Sequence, residues 1–133
     1  MSLTDERLNQ IVARLRERIP ALLGVWLFGS RAADSARTES DVDLAVLAEA
    51  PLDKVALWET AQDLALLLGR DVDLLDLRHA SAVMRMQVIS KGRRIFCSDF
   101  RRCEAFEDFV FSDYARLNEE RAEILADRLA THG

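Results

Sequence analysis

The chain has 133 residues, half of them hydrophobic and 31% charged, with 18 Lys and Arg against 23 Asp and Glu for a net charge of -5. That apolar content supports one core, a single compact domain is expected, and the modest charge excess excludes disorder for most of the chain. Five Gly and two Pro exclude collagen-like and low-complexity classes.

Leu8, Ile11, Val12, Leu15 and Ile19 step by three and four, so the spacing predicts an amphipathic helix over about residues 5 to 18, ended by Pro20. Val25-Trp-Leu-Phe28 follows Gly24 and stops at Gly29-Ser30, as a buried strand feeding a turn would. Residues 34 to 40 are polar and read as a loop. Asp41-Val-Asp-Leu-Ala-Val-Leu47 alternates at its start and reads as a second strand.

After Pro51, Val55, Trp58, Ala61, Leu64, Ala65 and Leu68 describe a helix face, with Gly69 placed to cap it. Asp71 to Leu77 reads as another acid-bearing strand, Ala80 to Ser90 as a short helix, and Arg93 to Cys97 as an edge strand. Beyond Ser98-Asp99, which can cap, Phe106, Val110, Tyr114, Leu117, Arg121, Ile124 and Leu125 trace one face of a long helix to about Ala130. Strands alternate with helices, so the class is α/β or α+β with a small mixed sheet.

The longest apolar runs fall short of the roughly 20 residues that cross a bilayer. An acidic start, Asp5-Glu6, is unlike a signal peptide, so no membrane association and a cytoplasmic location are expected. Cys97 and Cys103 lack CxxC spacing and read as reduced structural residues. The cations are scattered, which argues against nucleic-acid binding and for a small-molecule or protein partner. His79 and His132 lack a second histidine at ligand spacing. Trp26, Trp58 and Tyr114 fall on core-facing positions, and the pairs Arg93-Arg94 and Arg101-Arg102 read as solvated surface.

Asp is depleted in strand interiors, yet Asp41 and Asp43 sit two apart in a segment otherwise made of Val, Leu and Ala. Side chains at i and i+2 share a sheet face about 7 Å apart, so the carboxylates converge and repel unless a cation lies between them. Hard divalent ions such as Mg²⁺ take such oxygen ligands, and pairs about 4 Å apart are typical of phosphoryl-transfer sites. Asp73, on the next strand, can complete a triad, while Asp76 points the other way with Val72 and Leu74. Gly29-Ser30 after a buried strand lets backbone N–H and hydroxyl donors approach a phosphate.

Gly29-Ser30, ten residues, then Asp41-Val42-Asp43 is the GS-x10-D-x-D pattern, flanked by Trp26-Leu-Phe-Gly-Ser-Arg31 and Ser40-Asp-Val-Asp-Leu44. In these motifs the chain resembles the polymerase-β-like nucleotidyltransferase superfamily. In length and in Val72-Asp-Leu-Leu-Asp-Leu77 it is similar to the minimal nucleotidyltransferase (MNT) antitoxins of HEPN/MNT toxin–antitoxin pairs. The resemblance covers about residues 5 to 98.

The resemblance implies a polymerase-β-like fold, with a nucleotidyltransferase domain over 1–98 and a C-terminal helix over 99–133 packing on the domain or a partner. It implies that Asp41 and Asp43 hold two Mg²⁺ ions, that Asp73 is the third ligand and the base, and that Gly29 and Ser30 hold the triphosphate of ATP; the adjoining Arg31 reads as a phosphate contact or as a solvated helix residue. The implied reaction, of a type VII-like antitoxin, moves AMP from ATP to a tyrosine of a HEPN ribonuclease toxin. The family commonly has Gly four residues after the Ser, where this chain has Asp34. Two rival readings stand beside this one: a small-molecule, aminoglycoside-like adenylyltransferase, and a non-catalytic antitoxin that neutralises its toxin by binding.

Overall fold

The computed structural model describes residues 3–29 and 42–132. Its elements are α1 (Asp5–Arg18), β1 (Leu22–Phe28), β2 (Val42–Ala48), α2 (Lys54–Leu68), β3 (Val72–Asp76), α3 (Ala82–Lys91), β4 (Arg93–Cys97) and α4 (Phe100–His132).

Local chemistry sets the helix ends. Thr4 accepts from the Arg7 amide to open α1, and Asp5 and Glu6 in its first turn against Arg16 and Arg18 in its last complement the helix dipole. Asp53 caps α2, and Gly69, left-handed at φ +66°, closes it. Ser81 caps α3, and the Asp99 carboxylate accepts from the Arg102 amide at the start of α4.

The four strands form one mixed sheet in the order β3-β2-β1-β4, so the expected edge position of β4 is observed. β1 runs antiparallel to β2 and β4, while β2 and β3 are parallel and joined by the α2 crossover. Alternation divides the core between two faces. Val25, Leu27, Val42, Leu44, Val46 and Leu74 pack with α1 and α2 residues such as Ile11, Leu15 and Leu64. Trp26, Ala45, Leu47 and Leu77 pack with Val88, Ile89, Phe106 and Val110 of α3 and α4. Among the described residues no helix is long and apolar enough to cross a membrane.

Two expectations are corrected, and the covering of α4 is partial. β1 begins at Leu22 rather than Val25, because a bulge between Leu22 and Gly24 lets the strand run through the glycine. Trp58 is 63% exposed and Val55 is exposed as well. α2 instead buries Thr60, Ala61 and Leu64, a face turned by about one residue, with the Thr60 hydroxyl donating to Ala56 O at 2.7 Å. Finally, the apolar face of α4 is covered only near its start. Cys103, Phe106 and Val110 are buried and Tyr114 and Leu117 half-buried, but side chains 118–130 are all exposed, Ile124, Leu125 and Leu129 among them. Thirteen residues at about 1.5 Å each carry the helix roughly 20 Å past its last covered turn.

Candidate functional site

Asp43 and Asp73 are register partners in the parallel β2–β3 pair, which places them side by side on neighbouring strands about 4.8 Å apart. Both share the parity of Ala45, Leu47 and Leu77 and lie on the α3/α4 face. Asp43 is half-buried and Asp73 exposed. The start of β2 is pinned to β3, since Val42 N donates to Asp71 O at 2.9 Å.

On its other side Asp43 pairs with Phe28, the last residue of β1. Gly29 follows with φ +76°, and a Cβ there would stand 2.2 Å from Asp43 Oδ2. The backbone leaving β1 therefore passes directly against the Asp43 carboxylate, and only glycine combines that approach with that dihedral. The sheet end thus presents Asp43, Asp73 and the Gly29 main chain together. Ser30, Arg31, Asp34 and Asp41, also expected at this site, lie outside the described residues.

Two adjacent carboxylates repel, and a divalent cation between them offsets that repulsion, so this donor set fits a hard metal such as Mg²⁺. Among the described residues Asp73 forms no ion pair, which leaves its oxygens open to such an ion or to a proton. No group of three potential metal ligands forms among the described residues, and the third expected carboxylate is Asp41.

Asp76 points away, as the alternation requires, and is 3% exposed. Its oxygens accept from Leu52 N at 2.8 Å and Arg78 N at 3.0 Å, and His79 Nε2 lies 3.9 Å away. It therefore ties the approach to α2 to the end of β3. Sequence reasoning missed this role, although an acid on an apolar strand face already required local donors. It also missed Arg78 and Arg85, which join main-chain carbonyls around the β3–α3 turn.

The family model described as "Polymerase beta, Nucleotidyltransferase" matches residues 9–101. Protein adenylyltransferase MntA of Shewanella oneidensis is 42% identical over 122 residues, 92% of this chain and 87% of that protein. A crystal structure of a toxin–antitoxin with AMP-PNP superposes with a TM-score of 0.82 at 41% identity, covering 92% of this chain and 98% of that one. The structure of a tri-AMPylated Shewanella oneidensis HEPN toxin in complex with MNT antitoxin gives 0.79 at 38% identity, covering 96% and 99%.

Proposed function

The chain belongs to the polymerase β nucleotidyltransferase family, and on that premise we propose that it is an antitoxin that works as a protein adenylyltransferase. It moves AMP from ATP to a tyrosine of a HEPN-domain ribonuclease toxin and so inactivates that toxin. The observation that carries this reading is the Asp43–Asp73 pair beneath Gly29, in a chain similar over nine-tenths of its length to a protein adenylyltransferase. The setting is the cytoplasm, where ATP is available.

Asp41, Asp43 and Asp73 would hold two Mg²⁺ ions. When bound, the metal supplies neutralisation of charge on the α-phosphate and the departing pyrophosphate. The Gly29 main chain and Ser30 hold the triphosphate, with Arg31 against phosphate. Asp73 is exposed, so a tyrosine presented by a folded partner reaches it, and its carboxylate takes the phenolic proton. The phenolic oxygen then forms its bond to the α-phosphorus as the bond to the β-phosphate oxygen breaks, and pyrophosphate leaves. Residues 1–98 supply this site, and α4 packs on the domain through Phe106 and Val110 and offers its exposed part to the toxin.

The test is the intact mass of the HEPN toxin after incubation with this chain, ATP and Mg²⁺, beside an Asp41→Asn/Asp43→Asn control. AMP-sized additions absent from the control are expected. A stable complex without added mass would establish neutralisation by binding, and neither complex nor added mass would return the small-molecule acceptor.

A further inference from the structure

At the other end of the same sheet face, a cavity of about 460 Å³ lies between α3 and α4. Leu23 and Leu47 line it from the sheet, Phe106 and Phe109 from α4, and Arg78 and Arg85 from the segment that follows β3. Leu47 is four residues along β2 from Asp43, about 13 Å at the usual strand rise, so the cavity is separate from the carboxylate site.

Among the described residues, exposed arginines such as Arg7, Arg93 and Arg101 form no ion pair, but the half-buried Arg14 and Arg94 do. Arg14, Arg18, Arg94, Arg102 and Arg116 all pair with carboxylates, as an acidic chain makes easy. Among the described residues Arg78 and Arg85 form no ion pair, although both are half-buried. Each is held in place by main-chain acceptors. Arg78 Nε donates to Ala48 O at 2.9 Å, and Arg85 donates through Nε to Leu77 O at 2.7 Å and through Nη2 to Arg78 O at 3.0 Å. Aromatic contacts orient them further, with Arg78 5.9 Å from the Phe106 centroid and Arg85 5.9 Å from that of Phe109. Arg102, on the same cavity, is already bound to Glu49 at 2.6 Å.

Two half-buried cations without counter-charge are costly, and a dianion offsets that cost better than a single carboxylate. Guanidinium forks match phosphate geometry, and the cavity volume lies in the range of small-ligand sites. We propose that this cavity binds a phosphate-bearing small molecule of nucleotide size. Its phosphate sits on Arg78 and Arg85, and its ring lies against Leu23, Leu47 and Phe109. This inference does not depend on the adenylyltransferase reading.

The experiment follows the Nε–H signals of Arg78 and Arg85 by NMR in the full chain, with EDTA present, while AMP or inorganic phosphate is added at matched ionic strength. Saturable movement of both signals is expected, with AMP binding about tenfold tighter than phosphate. Ala105→Glu, on the exposed side of α4 but lining the cavity, supplies an internal carboxylate. It is expected to raise Tm and to weaken AMP binding about tenfold or more. Unmoved signals with both probes, or unchanged AMP binding in Ala105→Glu, would overturn the proposal. Equal binding of AMP and phosphate would overturn the nucleotide-sized ligand in favour of free phosphate.

Discussion

On the face of the sheet covered by α1 and α2, Asp76 is buried and fully engaged by main-chain donors, whereas on the opposite face Asp73, three residues earlier on the same strand, is exposed. The helices explain the contrast. α1 and α2 seal their face with Ile11, Leu15 and Leu64, so an acid there is tolerated only where amides meet it. α3 and α4 cover theirs from Leu23 and Leu47 to Trp26 and Ala45, and leave the end bearing Asp43 and Asp73 within reach of solvent. One residue type thus stands as a buried structural acceptor or as an exposed carboxylate according to strand parity and helix coverage.

The largest expected effect comes from breaking the open side of this contrast. Asp73→Asn should lower AMP transfer on the order of a hundredfold while ATP binding and Tm stay close to wild type. Equal loss of binding and transfer, measured by calorimetry beside the mass assay, would refute its role as base. Next, Gly29→Ala forces a methyl group against Asp43 Oδ2 at a positive φ. Transfer should fall at least about tenfold, with a stability cost of about 1 to 3 kcal/mol by chemical denaturation.

The closed side should respond in the opposite sense. Asp76→Ala leaves the Leu52 and Arg78 amides without their acceptor, at a cost of about 1 to 3 kcal/mol, and should leave transfer per folded molecule unchanged. Loss of transfer at full stability would abolish the distinction between the two faces.

The smallest effect sharpens the contrast within the α3/α4 face itself. At its covered end the Cys103 thiol, which donates to Leu23 O, is pushed up to about 12, chiefly by burial and then by the neighbouring Cys97 thiol. Burial favours the neutral thiol, so the unfolded chain, with an ordinary thiol near 9.0, loses its proton first. Stability should therefore fall as pH rises past about 9 towards 12. Cys103→Ala should flatten that slope in denaturant melts at pH 8 and 10, and an unchanged slope would show that the thiol does not cause it.

Much of the fold was legible because its signals are local. The α1 span, the Gly69 cap, β4 and the Asp99 cap follow from periodicity and end chemistry that neighbouring residues supply. Gly24 misled because a glycine reads as a break, while here the Trp26 ring packs so closely that a Cβ would stand 2.8 Å away. Trp58 misled because its size suggests burial, and the face of α2 is chosen by what β2 and β3 present rather than by the largest side chain.

For the site, the spacing of Gly29 and Asp43 and the acid-bearing β3 segment were visible in the sequence, because alternation assigns each acid to a face. That Asp43 faces Asp73, and that Gly29 closes on the Asp43 carboxylate, depends on strand order and register, which only pairing across the chain fixes. The same is true of the α4 face. Its apolar stripe is continuous in sequence from Phe106 to Leu125, but a helix buries only what another surface meets, and the sheet ends before Ile124 does. Sequence by itself determined the elements, the faces of the acid-bearing strands and the type of chemistry, since these rest on neighbours a few residues apart. Tertiary structure alone decided which acids meet, which are satisfied and which arginines go unpaired, since those outcomes rest on contacts between distant segments.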